Sequence, residues 1–431
     1  MKKPENQRPK RGPVTARSGI PQGAVTKGGG KAVDAFLSRG IAEIVGVSPA
    51  DLSRILLSGK KLKVKHGVDP TTPDLHLGYS VVYHKLRALQ DMGHTVQFLI
   101  GGFTARFGDP TEQEHSRKLR SKADIRKLSS SYLKQACKIL DPKKTEVRYN
   151  SEWYDKMSAE ELLKLMSHFT YAQMIERDMF QKRMKANQKI GFHEPVYPLL
   201  QGYDSVMLKD DLTVIGTDQI FNEMRGRDLQ RDFGQNPQII IATPLLTGTD
   251  GVQKMSQSLG NHIGITEDAK TQYGKIMSIP DNIIADYFEL ATDISAKELN
   301  GIKNKLADRA YNPRDLKMRL AQTIVKTYHG AKAADKAQSD FIAVFQKHSL
   351  PSDIKTIATT AGYDWKSPLP KIMTITGVSG TNSDARRLIA QGSVRLDGTQ
   401  VTSINTTLDP KKNEQILQVG KRRIVKLKKR K

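Results

Sequence analysis

Short strand-like runs alternate with helical stretches between residues 33 and 243, and this alternation constrains the fold more than any other feature. The runs are Lys63–Val68, Thr95–Ile100, Leu212–Ile215 and Gln238–Thr243. The last three are almost continuously apolar, which is typical of parallel strands that helices cover on both faces. The alternation therefore predicts an α/β domain with a doubly wound parallel sheet.

Helical periodicity fills the intervals between these runs. Gly93 directly follows one such stretch, and glycine is the usual residue just beyond a helix end. A further short strand is predicted at Val147–Tyr149. The predicted helices are Val33–Gly46, Asp51–Ser58, Tyr79–Met92, 122–140, 159–166 and 170–184.

The pattern of helical periodicity and strand-like runs changes near residue 260 and again near residue 350, which predicts several domains. Residues 266–347 show helical periodicity with few strand-like runs, whereas the carboxyl-terminal part mixes a helix with short strands. The predicted division is a disordered basic extension over 1–31, an α/β domain over 32–261, a small helical domain over 262–347, a linker over 348–368, and a compact α+β domain with a basic tail over 369–431.

The net charge of +24 favours a polyanionic partner. The ends carry +15 of it, because residues 1–31 hold eight basic side chains against one acid and residues 421–431 hold eight with none. No window of about 18 consecutive apolar residues is present, so a membrane-spanning helix is excluded. The single cysteine, Cys137, excludes a disulfide scaffold and a cysteine-rich zinc site, and it fits a reducing compartment.

The loop after the first strand-like run has the residues of an anion site. HGVDPTTPDLHLGY places Gly67, Asp69, His76 and Gly78 between a strand and the start of a helix. Main-chain N–H groups and the positive end of the helix dipole meet there, and both attract phosphate. A glycine at 78 lets a purine or ribose approach closely. His76 and Tyr79 fall on one side of the first helical turn, from which both could reach a phosphate.

A second polar loop, GVQKMSQSLGN at 251–261, carries Lys254 and two serines. A histidine–glycine motif followed by K-M-S-x-S after a strand-and-helix domain resembles the class I aminoacyl-tRNA synthetases. The resemblance implies a Rossmann-like catalytic domain that binds ATP, with Mg²⁺ on the phosphates and no metal ligands from the protein. His76 and Lys254 would stabilise the charge that moves onto pyrophosphate, because the amino-acid carboxylate is itself the nucleophile.

Two positions within the signature motifs depart from that family pattern. Tyr79 stands where the family has the second histidine of the first motif, and Gln257 stands where it has the second lysine of the loop. A phenol is not cationic at neutral pH, and an amide carries no charge. Both residues are predicted to support catalysis more weakly than the family residues, which slows the activation step. The loss of one such donor commonly costs ~10²–10³ in rate.

The sequence between the two loops resembles the amino-acid pocket of the tyrosyl-tRNA synthetase family, in its longer bacterial branch. The similar stretches are GGFTARFGDPT (101–111), YPLLQGYDS (197–205) and GTDQIFN (216–222). The resemblance implies a tyrosine–tRNA ligase that forms tyrosyl-AMP and transfers tyrosine to tRNA(Tyr). The residues implied for tyrosine binding are Thr104, Asp109, Tyr197 and Gln201 at the α-ammonium, Asp204 at the phenolic O–H, and Gln219 at the carboxylate side. The residues implied for ATP binding are Gly67, Asp69, His76, Gly78, Asp218, Lys254 and Gln257.

Tyr197, Gln201 and Asp204 indicate a pocket even without the resemblance. Their i, i+4, i+7 spacing places all three on one face of a helix. Neighbouring leucines predict that this polar face is partly buried, which is typical of a helix that lines a cavity. A buried carboxylate awaiting a hydroxyl would select tyrosine over phenylalanine, because phenylalanine would leave it unpaired.

The carboxyl-terminal stretch resembles the small RNA-binding domain of bacterial tyrosyl enzymes. Arg386 and Arg387 lie on its predicted helix, and Lys421 and Arg422 lie in its basic GKRR segment. All four are predicted to contact RNA phosphates. The resemblance further implies a cytoplasmic homodimer without membrane contact, whose helical domain meets the anticodon stem of its tRNA.

Two alternatives to a tyrosine-activating enzyme stay open. The first is a synthetase-derived RNA-binding protein without catalysis, which Tyr79, Gln257 and the basic ends favour. The second is a tryptophan-activating enzyme, although Asp204 and Gln201 in one pocket fit a phenol better than an indole.

Overall fold

The computed structural model describes residues 29–70, 72, 74–109, 121–308, 310–345, 354–359, 362–420 and 423–429. The chain divides into two units, one up to Ala331 and one from Lys332 onward. Most of the predicted extension over 1–31 and part of the predicted linker over 348–368 lie outside the described residues. The predicted domain boundaries at 261 and 347 stay predictions.

A mixed but mainly parallel sheet lies at the centre of the first unit. Its strands are β1 (Glu43–Val45), β2 (Lys63–Val68), β3 (Thr95–Ile100), β4 (Thr145–Tyr149), β5 (Leu212–Gly216) and β6 (Ile239–Thr243). Their order is β1-β6-β5-β2-β3-β4, and all neighbours are parallel except β1, which pairs antiparallel with β6. The prediction of a doubly wound parallel sheet is therefore confirmed.

Helices connect these strands and continue beyond them. Those of the first unit are α1 (Gly29–Leu37), α2 (Pro49–Leu57), α3 (Leu77–Asp91), α4 (Lys122–Ala136), α5 (Ser151–Tyr154), α6 (Ala159–Met166), α7 (Tyr171–Ile175), α8 (Asp178–Lys185), α9 (Tyr197–Leu208), α10 (Ile220–Asp232), α11 (Ala269–Met277), α12 (Ile284–Ala291), α13 (Ala296–Ala307) and α14 (Pro313–His329). The next helix, α15 (Ala331–Phe345), begins at the division between the units. Within the described ranges, no helix combines the length and apolar character needed to cross a bilayer.

Serine side chains fix the first turn of several helices. Ser48, Ser121 and Ser158 each accept a hydrogen bond from the main-chain N–H three residues later. In α6, the side chain of Glu161 also accepts a hydrogen bond from the main-chain N–H of Ser158, and the two reciprocal bonds form a capping box. Such caps satisfy N–H groups that the helix itself leaves without partners.

Two predicted helices differ from the structure. The helix predicted at Val33–Gly46 is wrong in its second half, because α1 ends at Leu37 and residues 43–45 form β1. Gly40 has a φ of +57°, a left-handed conformation that a helix continuing through this position could not contain. The helix predicted over 170–184 is two helices, α7 and α8, with Arg177 between them.

The sheet order reverses between β2 and β5. From β2 the chain moves outward to β3 and β4, whereas from β5 it moves outward to β6 on the other side. Helices that follow these strands diverge to opposite sides of the sheet, which leaves a crevice at the carboxyl ends of β2 and β5.

The second unit contains its own sheet and apolar core. Its strands are β7 (Lys355–Ala358), β8 (Val394–Leu396), β9 (Thr399–Gln400), β10 (Glu414–Val419) and β11 (Arg423–Lys428), and its further helices are α16 (Leu369–Ile375) and α17 (Asn382–Ala390). The strand order is β7-β11-β10-β8-β9. Trp365, Ile372, Ile389 and Leu417 belong to the buried cluster that joins helices and sheet. This arrangement agrees with the predicted α+β module.

Candidate active site

A cavity of about 600 Å³ opens at the carboxyl ends of β2, β3, β5 and β6. The fold brings to it both predicted loops and helix α9, which are far apart in the sequence. The predicted residues that line it are Gly67, Asp69, His76, Gly78, Tyr79, Thr104, Asp109, Tyr197, Gln201, Asp204, Asp218, Gln219 and Lys254. Gln257 lies beside this lining but does not belong to it, whereas its neighbours Ser256 and Ser258 do.

His76 caps the first turn of α3. Its ring Nδ1 accepts a hydrogen bond from the main-chain N–H of Gly78 at 3.1 Å, so the proton of the neutral ring is on Nε2. Burial, with smaller contributions from His262 and Lys254, lowers the pKa of His76 to about 3. At neutral pH His76 is therefore an uncharged donor that can offer its Nε2–H to an anion.

The two glycines of the first loop have different physical roles. A Cβ at Gly78 would lie 2.8 Å from Cε1 of His76, so glycine at this position accommodates the capping ring. A Cβ at Gly67 would meet no atom within 4 Å, and Gly67 lines the cavity. The space needed for close approach of a ligand is thus at Gly67, whereas the sequence indicated Gly78.

Tyr79 lies in the first turn of α3, directly beside the capping histidine. The ring centroids of His76 and Tyr79 are 4.7 Å apart, and the ring of Tyr83 stacks on Tyr79 at 6.5 Å. The predicted pairing of His76 and Tyr79 on one side of the first turn is confirmed.

The loop that carries Lys254 lies close to the start of α3. A β-bridge pairs His76 with Gly264, just beyond the loop. The ammonium of Lys254 is 2.9 Å from Oδ2 of Asp218, which follows β5. A cation and a carboxylate from two different predicted ATP-binding segments are therefore held together at the cavity wall.

Gln257 fastens this loop to the segment before α3. Its Nε2 donates to the main-chain carbonyl of Asp74 at 2.6 Å. The carboxylate of the same aspartate accepts from the hydroxyl of Thr266 at 2.8 Å. The residue that lacks the family's charge thus has a structural contact instead.

Asp69 joins two residues of the predicted tyrosine set, although the sequence placed it with the ATP set. Its Oδ1 accepts from Thr104 Oγ1 at 2.7 Å, and its Oδ2 accepts from the hydroxyl of Tyr197 at 2.9 Å. Asp69 directly follows β2, Thr104 follows β3, and Tyr197 begins α9. The three elements thereby meet around one carboxylate.

Asp109 is the centre of a second buried group. Its Oδ2 accepts from Gln219 Nε2 at 3.1 Å, and its Oδ1 lies 3.4 Å from Nη1 of Arg177. Arg177 stands between α7 and α8, so the break in the predicted helix delivers a cation to the site.

Asp204 is buried in the cavity wall with two donors. Nε1 of Trp153 lies 3.1 Å from its Oδ1, and Nδ2 of Asn150 lies 3.3 Å from its Oδ2. Burial raises the pKa of Asp204 to about 7, although the nearby ammonium of Lys65 opposes this shift. A carboxylate with this pKa can accept from a phenolic O–H once it is ionised.

Gln201 is held by its neighbours at both ends of its amide. Its Nε2 donates to Oε1 of Glu223 at 2.8 Å, and its Oε1 accepts from Nδ2 of Asn222 at 2.7 Å. Oε2 of Glu223 accepts from the ammonium of Lys65 at 2.7 Å. This amide therefore has a fixed orientation toward the cavity.

Sequence reasoning missed several polar residues of the site, among them Asn150, Trp153, Arg177 and Glu223. Asn150 directly follows β4, and polar residues at the carboxyl ends of parallel strands are a usable signal. Glu223 follows Gln219 by four residues, one helical turn, and faces the same cavity. Trp153 and Arg177 had no comparable local signal.

The predicted RNA-binding arginines lie on the helix α17 of the second unit. Both are exposed, and Arg387 pairs with Asp384 at 2.5 Å. Lys421 and Arg422 lie outside the described residues. Their predicted role stays a prediction.

The polar side chains of the cavity can also be compared with the ligand sets that hold metal ions. Among the described residues, no group of three or more histidine, cysteine, aspartate or glutamate side chains is arranged to hold a metal ion.

The chain matches known proteins over most of its length. The family model described as tRNA synthetases class I (W and Y) matches residues 57–346. A tyrosine–tRNA ligase of Moorella thermoacetica is 46% identical over 394 residues, which is 91% of this chain and 94% of the relative. Tyrosine–tRNA ligases of Carboxydothermus hydrogenoformans and Thermotoga maritima are 44% and 42% identical, each over 91% of this chain and 96% of the relative.

Solved structures share the fold at lower sequence identity. A C-terminally truncated mitochondrial tyrosyl-tRNA synthetase of Aspergillus nidulans superposes with a TM-score of 0.60 at 24% identity, over 73% of this chain and 94% of that one. The tyrosyl-tRNA synthetase of Archaeoglobus fulgidus complexed with L-tyrosine superposes with a TM-score of 0.56 at 22% identity, over 72% and 99%.

Proposed function

This chain belongs to the class I tRNA synthetases of the tryptophan and tyrosine group, and we propose that it is a tyrosine–tRNA ligase. Tyrosine and ATP would react to tyrosyl-AMP and pyrophosphate, and the tyrosyl group would then pass to the terminal ribose of tRNA(Tyr). The observation that carries the proposal is the buried carboxylate of Asp204, held by Trp153 and Asn150 in a cavity that also contains the two predicted charge-stabilising residues.

His76 and Lys254 would stabilise the charge that develops on the leaving pyrophosphate. The neutral ring of His76 offers an Nε2–H, and Lys254 brings a positive charge. Asp218 would bind the ribose of ATP. Lys254, which pairs with Asp218 in this structure, would then bind a phosphate instead. Neither His76 nor Lys254 acts as a nucleophile, because the carboxylate of tyrosine attacks the α-phosphorus.

The opposite side of the cavity would hold tyrosine. Asp69, Thr104 and Tyr197 form one linked polar group, and Asp109 with Gln219 forms another. Both groups would receive the charged α-amino and carboxylate end of the substrate. Asp204 would accept from the phenolic O–H, which phenylalanine lacks.

ATP would occupy the side of the cavity formed by Gly67, His76 and Lys254. Mg²⁺ bound to its phosphates would add further neutralisation of their charge. Tyr79 and Gln257 carry no positive charge at neutral pH, and Gln257 is bonded to the carbonyl of Asp74. We therefore expect the activation step to be slower than with the family residues.

The chain's macromolecular partners follow from the same proposal. Residues 262–347 would meet the anticodon stem, and Arg386 and Arg387 would contact further phosphates of the tRNA. A second copy of the chain would form a cytoplasmic homodimer. Exposed apolar side chains in the stretch from Leu163 to Phe192 support this dimer, since Phe192 is 86% exposed in the monomer.

Exchange of labelled pyrophosphate into ATP tests the proposal directly, with tyrosine, phenylalanine and tryptophan compared side by side. We expect exchange with tyrosine and little with the other two. Exchange driven by tryptophan would replace the substrate, and no exchange with any amino acid would favour the RNA-binding protein without catalysis.

A further inference from the structure

Glu223 lies behind the amino-acid side of the cavity and collects hydrogen bonds from three different donors. Oε1 accepts from Gln201 Nε2 at 2.8 Å, and Oε2 accepts from Lys65 Nζ at 2.7 Å and from Gln238 Nε2 at 2.8 Å. Its side chain is 2% exposed, and that of Lys65 is 1% exposed. A buried ion pair of this kind is weak evidence for stability, so its value to the protein needs another explanation.

Lys65 connects Glu223 with the opposite end of the pocket. Its ammonium also donates to the hydroxyl of Ser205, which follows Asp204 on α9. Burial acts to lower the pKa of Lys65, but Glu223, Asp210 and Asp204 outweigh it and raise the pKa. Lys65 is therefore a permanent cation close to Asp204.

Asp210 does not compete with Glu223 for this cation. Burial raises the pKa of Asp210 well above its ordinary value. Neither of its carboxylate oxygens has a hydrogen-bond partner among the described residues. Glu223, whose Oε2 lies 2.7 Å from the ammonium, is the carboxylate that binds Lys65 directly.

We propose that Glu223 is a positioning residue of the amino-acid pocket, which fixes the amide of Gln201 at one end of the substrate and the ammonium of Lys65 beside Asp204 at the other. The inference rests on the proposed function, because it assigns these two ends to tyrosine. A glutamine at 223 has only one acceptor oxygen for three donors, so at least one of them must lose its partner.

The test measures tyrosine affinity apart from catalysis. Trp153 and Trp365 are the two tryptophans of the chain. In a Trp365→Phe background, the fluorescence of Trp153 reports tyrosine binding at Asp204, and pyrophosphate exchange gives KM for ATP in parallel. With Glu223→Gln, we expect the Kd for tyrosine to rise about 10-fold or more, while KM for ATP changes less than about twofold.

Two further variants separate positioning from a purely structural role. Lys65→Met combined with Glu223→Leu removes both buried charges, and we expect it to recover thermal stability but not tyrosine affinity. Asp281→Asn breaks the ion pair with Lys317, away from the cavity lining, and should leave tyrosine affinity unchanged. Unchanged affinity in Glu223→Gln, or recovery of affinity in the double variant, would overturn the inference. Parent protein that neither binds tyrosine nor exchanges pyrophosphate would instead refute the proposed function, and the inference with it.

Discussion

The indole Nε1 of Trp153 donates to Oδ1 of Asp204 at 3.1 Å, from the short helix α5 to the middle of α9. Both side chains are buried, so this hydrogen bond stabilises the charged form of the carboxylate where water cannot. The availability of Asp204 as an acceptor thus depends on a residue outside the predicted tyrosine-binding set.

Replacement of Trp153 by phenylalanine is expected to weaken tyrosine binding. The variant keeps an aromatic ring but removes the N–H, so the pKa of Asp204 should rise further and less of it will be ionised at pH 7. We expect KM for tyrosine in pyrophosphate exchange to increase about tenfold. The matched control is Trp365→Phe, which removes an indole N–H that donates to the carbonyl of Asp409 in the second unit. Equal kinetics in the two variants would contradict this role of Trp153.

The affinity for tyrosine should depend on pH near neutrality. Burial raises the pKa of Asp204 to about 7, so the carboxylate is mainly protonated at pH 6 and mainly ionised at pH 8. We expect KM for tyrosine to fall over this range, because the ionised form is the stronger acceptor. His76, with a pKa of about 3, remains neutral throughout. The inhibition constant of phenylalanine, measured alongside, should stay flat.

The same raised pKa predicts how stability depends on pH. An acid whose pKa is higher in the folded state favours folding below its unfolded value, and this contribution is lost as the pH rises through the folded pKa. The Asp204 contribution is thus complete below about pH 4 and lost by about pH 7. Asp204→Asn should gain free energy of unfolding relative to the parent between pH 5 and pH 8, as measured by urea titration. A constant difference between the two proteins over that range would contradict the assignment.

The sequence predicted those parts of the fold that local pattern determines. The bounds of β2 and β3 match the predicted strands to the residue, and each of these runs is followed in the sequence by a helix. The helix predicted beyond Leu37 is wrong, because β1 is defined by its pairing with β6, about 200 residues away, rather than by its own composition. Non-local pairing of this kind leaves little trace in a short window of sequence.

In the site, too, contacts within one helix could be predicted, whereas contacts between residues far apart in the sequence could not. The face of α9 with Tyr197, Gln201 and Asp204 could be predicted, because helical spacing alone brings the three together. The pairing of Lys65 with Glu223 could not, since the residues are 158 positions apart and meet only across the folded sheet. The hydrogen bond of Gln257 could not be predicted either, because its acceptor is the main-chain carbonyl of Asp74, which no side-chain pattern indicates.

Gln257→Lys is expected to accelerate the activation step. A lysine retains an N–H donor for the carbonyl of Asp74 and adds positive charge near the leaving pyrophosphate, which we expect to raise kcat for exchange by about 10-fold or more. Gln257→Leu loses the donor and should lower kcat several-fold. The control is Gln253→Lys, which adds the same charge at an exposed position of the loop. If Gln253→Lys accelerates the step as much, the acceleration comes from added positive charge anywhere on the loop and does not depend on position 257.

Arg386→Gln should weaken tRNA binding in a salt-dependent way. Arg386 is exposed on α17, where Arg387 is already paired with Asp384 at 2.5 Å. A lost phosphate contact reduces the slope of log affinity against log salt by about 1, whereas Arg387→Gln should reduce it less because its charge is partly neutralised. Filter binding of tRNA between 50 and 200 mM salt (roughly the range in which such slopes are measured) checks the slopes. Pyrophosphate exchange should stay unchanged, since that step needs no tRNA.

Arg54→Gln on α2, where Arg54 pairs with Asp51, serves as the control. A slope for Arg386→Gln equal to the parent's would remove this arginine from the RNA-binding surface.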